Sequence, residues 1–204
     1  LAHPFKHVYT GVAKTIKRAL PLKIIKVIKS IDLRDTPRID LARDIFMFSF
    51  YTRGMSFVDM AYLRKEDLKN GVLTYYRRKT GQLLTVKWET CMQNIVDKYK
   101  NETSKFLLPI ITNMECDDRT QYRNGLMMNN YNLKRLGEQL GLALPLTMYV
   151  ARHSWASVAK CNKVPISVIS EGMGHGSEMT TQIYLTSLDT SVIDKANSMI
   201  IKLL

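Results

Sequence analysis

The chain has 204 residues, 46% of them hydrophobic, long and apolar enough to bury a core and too apolar for a disordered chain. Its 30 Lys and Arg against 18 Asp and Glu give a formal net charge of +12, which points to a polyanionic partner, nucleic acid or a membrane surface. No apolar run approaches the ~20 residues of a membrane span, no secretory signal opens the chain, and Cys91, Cys116 and Cys161 are widely spaced without a metal-ligand pairing, so they read as reduced thiols of a cytoplasmic protein.

Residues 1–20, basic and broken by Pro4 and Gly11, read as a linker or arm from a missing upstream domain. From Pro21 a helix is expected, with Ile24, Ile25, Ile28 and Ile31 inward and Lys23, Lys26 and Lys29 outward. Thr36-Pro37 is a helix start, N-cap then proline, and the helix it opens is apolar on nearly every face, hence central to the core. Gly54 stops it, and residues 56–63 continue as a short helical segment. The period then changes. After a polar turn, residues 72–88 read as two β-branched and aromatic runs about Lys79-Thr80-Gly81, a β-hairpin with Arg77, Arg78 and Lys79 at or near its tip. Such a tip suits insertion into a groove of DNA; a merely exposed turn fits the residues as well. Thr90 and Gln93 predict a capping box opening a helix through Tyr99. Residues 106–110 are a short strand or extended segment, 112–125 a polar loop, and about 130–140 a helix with Leu133, Leu136 and Leu140 inward. At the C-terminus Asp189 or Thr190 caps a last helix with Val192, Ile193, Ala196, Met199, Ile200 and Leu203 on one face.

The residues between Tyr149 and Tyr184 carry the chemistry. Arg152 lies in a helix-forming run with Val150, Ser154, Trp155 and Val158 at three- and four-residue spacing. His175 stands between Gly174 and Gly176, where one helix should end and another begin, and Ser177 is an N-cap for the short helix carrying Tyr184. Taken singly, Arg152 reads as a salt-bridge partner and Tyr184 as a core aromatic. Together they suit a phosphodiester. A tyrosine hydroxyl, with its pKa ~10, is a poor nucleophile at neutral pH unless cations hold the target phosphate and spread the charge that develops. The guanidinium fork can bind two phosphate oxygens, and an imidazole can hydrogen-bond a third oxygen or relay a proton.

Arg152-His153, Gly174-His175, the intervening Ser177, Thr180 and Thr181, and Tyr184 nine residues after His175 resemble the signature of the tyrosine recombinases, the phage integrase family. The resemblance runs from about Leu22 to the C-terminus, so 21–204 is identified as the family's catalytic domain, and it implies an α+β, mostly helical fold with a small antiparallel sheet at one edge. It implies a site-specific recombinase in which Tyr184 forms a 3′-phosphotyrosyl link, assisted by Arg152 and His175, with Lys79 protonating the departing 5′ oxygen, for integration or excision of a mobile element. Double-stranded DNA, a homotetramer assembled on it and accessory DNA-bending proteins are the implied partners, in a cytoplasmic, nucleoid-associated bacterial protein; no membrane, cofactor or metal is implied. Two positions depart from the pattern. Tyr149 stands where the family usually has histidine, and Ser56 stands where its first catalytic arginine is expected. Arg53 or Arg77 is expected to compensate, and Arg53, Arg77 and Arg78 are the expected DNA contacts. The departures resemble integrases of conjugative transposons. A type IB-like topoisomerase, a catalytically degenerate DNA-binding homologue, and a basic protein with acidic or membrane partners are the alternatives.

Overall fold

The computed structural model describes residues 18–185, 197–198 and 200–201, with the side chains of Ile183 and Tyr184 outside that description. The expected arm (1–20) falls outside it except for its last three residues, as does most of the expected last helix; of the latter, Asn197, Ser198, Ile200 and Ile201 are helical and exposed.

Helix α1 (Leu22–Ser30) buries Ile25 and Ile28 while its lysines face solvent, as the spacing predicts. Helix α2 (Pro37–Tyr51) is the central element: Ile39, Ala42, Ile45, Phe46, Met47 and Phe48 are all buried, so its apolar residues indeed face nearly all round. Its Pro37 occupies the first turn as expected, but the Thr36 side chain makes no cap; its hydroxyl donates backward to the Leu33 carbonyl. A compact ionic group ties α2 to α4 (Thr90–Lys98). The Lys98 ammonium lies 2.5 Å from Asp40 and 2.7 Å from Asp44, and the Tyr99 hydroxyl donates to Asp44.

Helix α3 (Phe57–Ala61) follows Gly54, and a 3-10 turn (Lys65–Asp67) leads into a three-stranded antiparallel sheet of order β1-β2-β3, with β1 Leu68–Lys69, β2 Val72–Tyr76 and β3 Leu83–Lys87. The register pairs Leu73 with Val86 and Tyr75 with Leu84, and these four side chains are the buried face. The predicted hairpin is present, with Arg77–Gln82 as its connection. The capping box expected at Thr90 does not form. Glu89 occupies the N-cap, while Gln93 accepts from the Trp88 indole and donates to Asp97, because the indole N–H offers a better-placed partner.

Of residues 106–110, expected as a strand or extended segment, only Phe106 pairs, in an isolated bridge to Arg64, and the chain then bends and turns; Leu107 donates to the Leu63 carbonyl, and Phe106, Leu107 and Leu108 are buried. The expected loop 112–125 is shorter than predicted. Helix α5 runs over Asp118–Gln139, 22 residues, from an N-cap at Asp117 whose carboxylate accepts from the Thr120 amide. Its second half buries Leu133 and Leu136 as expected. Helices α6 (Met148–Cys161), α7 (Ile166–Gly172) and α8 (Glu178–Tyr184) complete the chain order, with Ser177 capping α8 through the Met179 amide. The three cysteines are free thiols. The main core surrounds α2, and a smaller cluster of Ala156, Ile169, Met173 and Leu185 joins α6 and α7 to the end of α8.

Candidate active site

Arg152 projects from the first turns of α6 into the junction between α2, α7 and the hairpin. It is 95% buried, and its fork is tied at both tips: Nη1 donates to the Gly54 carbonyl at 2.5 Å, and Nη2 to the Met173 carbonyl at 2.7 Å. The chain end of α2 must come very close to allow this. At Gly54, with φ +75°, an added Cβ would sit 2.8 Å from the Arg152 Cα and 2.9 Å from its Cγ, so only glycine fits. The same residue that stops α2 therefore also seats the arginine.

His175 enters from the α7–α8 connection and is buried. Its Nε2 lies 2.9 Å from Arg152 Nη2 and its Nδ1 2.8 Å from the hydroxyl of Thr181, itself fully buried on α8. Burial, reinforced by the positive charge of Arg152, Arg77 and Lys79, pushes the imidazole pKa down to about 4, so the ring is neutral at pH 7. Gly174 just before it has φ +65°, and a Cβ there would meet Leu84 at 2.9 Å and the Arg77 side chain at 3.1 Å. That close approach lets Arg77 hydrogen-bond the Gly174 carbonyl through Nη1.

Arg77 thus does not wave at the tip of the hairpin. It is buried, at the base of the turn, and lies with Lys79 and Arg152 on one wall of a cleft of about 420 Å³. Met55, Ser56, Tyr149 and, from α5, Tyr122, Leu126 and Asn130 complete much of the lining. Lys79 is exposed at the turn. Arg78 goes elsewhere: its guanidinium stacks 3.7 Å over the Tyr62 ring, outside this cleft. Arg53, in the left-handed region at φ 62°, lines a different groove with Trp155 and Gly172.

Ser56 is at the cleft wall but is occupied with structure. Its hydroxyl accepts from the Asp59 amide as the α3 N-cap and donates to the Asp59 carboxylate at 2.6 Å. The other oxygen of Asp59 accepts from the Arg78 amide at 2.8 Å, so one buried carboxylate joins α3 to the hairpin. Tyr149, about half exposed, meets the buried His153 ring edge-on, centroids 4.7 Å apart. His153 packs there rather than in the cleft lining. Tyr184 ends α8, and its side chain lies outside the described residues.

The structure therefore brings Arg152, His175, Arg77 and Lys79 into one neighbourhood, beside Ser56 and Tyr149, while Arg53, next to Gly54, lines an adjacent groove and Arg78 stacks on Tyr62. The roles of Gly54, Asp59 and Thr181 were not read from the sequence. Of these Thr181 carried a signal as part of the motif between His175 and Tyr184, and Gly54 only as a helix stop. No group of metal-ligating side chains occurs among the described residues, and none of their helices is long and apolar enough to cross a membrane.

No protein-family model matches the chain. Among curated proteins it is similar to the tyrosine recombinase XerA of Thermococcus kodakarensis, 26% identical over 180 residues, 85% of this chain and 59% of that protein. The chain thus spans less than two thirds of this relative's length. Among solved structures it superposes on the XerH site-specific recombinase bound to a palindromic difH substrate in a post-cleavage complex, with TM-score 0.65 and 18% identity over 92% of this chain and 54% of that one. It also superposes on the Tn1549 transposon integrase in complex with a circular intermediate DNA, with TM-score 0.62 and 14% identity over 93% of this chain and 67% of that one. In sequence the chain resembles a tyrosine recombinase, and its fold is that of the tyrosine recombinase catalytic domain, shared with a transposon integrase.

Proposed function

We propose that this chain is the catalytic domain of a site-specific DNA recombinase that cleaves and rejoins double-stranded DNA through a 3′-phosphotyrosyl intermediate, serving integration or excision of a mobile element. The observation that carries this reading is the cleft in which Arg152, Arg77 and Lys79 stand together with the neutral His175 against Arg152. Arg77 and Arg152, both buried, and Lys79, exposed at the turn, set three cationic groups on one cleft, a set suited to a phosphate. The similarity to a tyrosine recombinase and to proteins solved on DNA supports double-stranded DNA as the partner. Helix α5 flanks the cleft and carries exposed Arg119 and Arg123 one turn apart on one side, a further surface suited to a polyanion.

In this mechanism the Tyr184 oxygen bonds to phosphorus while the bond from phosphorus to the 5′ oxygen breaks. Lys79 delivers a proton to that leaving oxygen. The free 5′-hydroxyl of a partner strand then attacks the phosphotyrosine, releasing Tyr184, so bond energy is conserved without a nucleotide. His175 has two chemistries open to it: a hydrogen bond to a non-bridging oxygen, or acceptance of the phenolic proton. We further propose that Arg77 supplies the charge that Ser56 cannot. It reaches the cleft from the hairpin, whereas Arg53 lines another groove. Assembly as a tetramer on two duplexes fits the exposed helical Ile200 and Ile201, apolar side chains suited to docking on a neighbouring protomer.

One specific observation favours a second reading, a degenerate DNA-binding homologue: Ser56 spends its hydroxyl capping α3, and no arginine stands there. A nicked suicide duplex decides between them. The active reading expects a covalent protein–DNA complex that disappears in Tyr184→Phe, falls by a factor of ~100 or more in Arg77→Ala, and survives Arg53→Ala. No adduct with the unaltered chain would leave the degenerate reading. Adduct formation with plasmid relaxation, but no recombination of a two-site substrate, would instead indicate a type IB-like topoisomerase.

A further inference from the structure

Thr181 is fully buried, although its side chain is polar and it belongs to a short, otherwise exposed stretch of α8. Its hydroxyl is 2.8 Å from His175 Nδ1. On the far side of the ring, Nε2 is 2.9 Å from Arg152 Nη2. A guanidinium nitrogen can only donate, so an Nε2 that carried its own proton would face a donor with a donor. Nε2 must therefore present its lone pair to Arg152. In a neutral ring the single proton then sits on Nδ1, and Thr181 is the hydroxyl placed to accept it.

We propose that Thr181 is a positioning residue that, together with Arg152 on the other side of the ring, holds His175 in the Nδ1-protonated tautomer, so that Nε2 acts as a proton acceptor and not as a donor to phosphate. This rests on the recombinase reading for its consequence, and on geometry alone for the tautomer. A DNA phosphate carries full negative charge and is a stronger acceptor for Arg152 Nη2 than a neutral imidazole. As Arg152 turns to the phosphate, the Nε2 lone pair is released. It can then take the phenolic proton of Tyr184 as the tyrosine oxygen bonds to phosphorus, and Lys79 gives a different proton to the leaving 5′ oxygen. On resealing, Nε2 returns its proton to Tyr184 and the attacking 5′-hydroxyl gives one back to Lys79, so both groups end as they began. Among the cleft cations neither arginine can serve as that base, and a protonated Lys79 cannot either. The depressed pKa of His175 agrees with a ring that starts without the second proton.

The test is the long-range ¹H–¹⁵N spectrum of uniformly labelled protein at pH 7, with covalent-complex formation on a nicked duplex as the second readout. The spectrum should show His175 Nδ1 as the protonated, pyrrole-type nitrogen and Nε2 as the pyridine-type one. Thr181→Val keeps the shape and loses the hydroxyl; it should mix the tautomers and slow adduct formation about tenfold or more, while Thr181→Ser restores both. A wild-type ring protonated at Nε2 would overturn the proposal, as would a Thr181→Val protein with unchanged tautomer and rate. Should Thr181→Val fail to fold, the wild-type and Thr181→Ser spectra still decide, since either one showing Nε2 protonated is enough to refute it. If the unaltered chain forms no adduct but shows the expected tautomer, it is the recombinase reading that fails.

Discussion

At the scale of single residues the site is built by burying polar groups and giving each one a partner. Arg152 is the extreme case, a guanidinium whose tips end on two backbone carbonyls and an imidazole. Burial, and then the positive charge of Arg152, Arg77 and Lys79, disfavour a charged His175, which is why its pKa falls to about 4 from an ordinary 6.5. The sign of the consequence follows. Between pH 4 and 6.5 the unfolded chain binds a proton on this histidine and the folded chain does not, so stability should rise with pH across that window and level off above it. Lowering the pH from 7 to 5 should cost roughly 1–2 kcal/mol through this residue. Urea titrations at the two pH values, on the unaltered chain and on His175→Gln, would measure it; equal pH dependence in both would refute the shift. Arg152 and His175 were legible because a short motif holds them. Gly54 was legible only as a helix stop, since nothing in the order of residues tells that Arg152, 98 positions later, packs on its Cα.

At the scale of elements, the hairpin matters because it delivers Arg77 and Lys79 to a helix-built cleft, and Asp59 is what fixes it there. That carboxylate accepts from the Arg78 amide with one oxygen and from the Ser56 hydroxyl with the other, and it is 96% buried. Removing it strands a part-buried amide and hydroxyl together. Asp59→Ala should therefore destabilise the chain by about 2–3 kcal/mol and raise hydrogen exchange in β2 and β3 more than in α5. A uniform rise would mean that Asp59 does not hold the hairpin in particular. The hairpin itself was plain from its alternating residues and its Lys-Thr-Gly turn. Helix α5 was half missed, for an opposite physical reason. Asn124, Gly125, Asn129, Asn130 and Asn132 are poor helix formers that mask the period, and tertiary packing of Tyr122, Leu126, Leu133 and Leu136 on the core overrides them. Asp117, three residues before the Thr120 amide it caps, was the readable start signal in a stretch read as a polar loop.

At the scale of the whole molecule, a net charge of +12 on 204 residues predicts attraction to DNA but says nothing of where. The fold supplies the place. It gathers Arg77 and Lys79 from one end of the sheet and Arg152 from α6, residues up to 75 positions apart, onto one cleft. The sequence could name these cations; only closure of the chain says that Arg77 belongs with Arg152 while Arg53 and Arg78 do not. This separates local from global electrostatics in a measurable way. Each phosphate neutralised by a cation releases condensed counterions, so the slope of log affinity against log salt counts such contacts, at about 0.9 per contact. If Arg77 and Lys79 touch phosphate, Arg77→Ala and Lys79→Ala should each flatten that slope by roughly 0.9, and together by about twice as much. Arg53→Ala removes the same formal charge as Arg77→Ala and lies in another groove, so it should leave the slope at the cleavage site nearly unchanged. Fluorescence anisotropy with a labelled duplex, across a salt series at fixed pH, supplies all five slopes, that of the unaltered chain included. Equal flattening by Arg53→Ala and Arg77→Ala would show that binding follows the overall charge of the molecule, and the cleft would lose its claim to be where the phosphate sits.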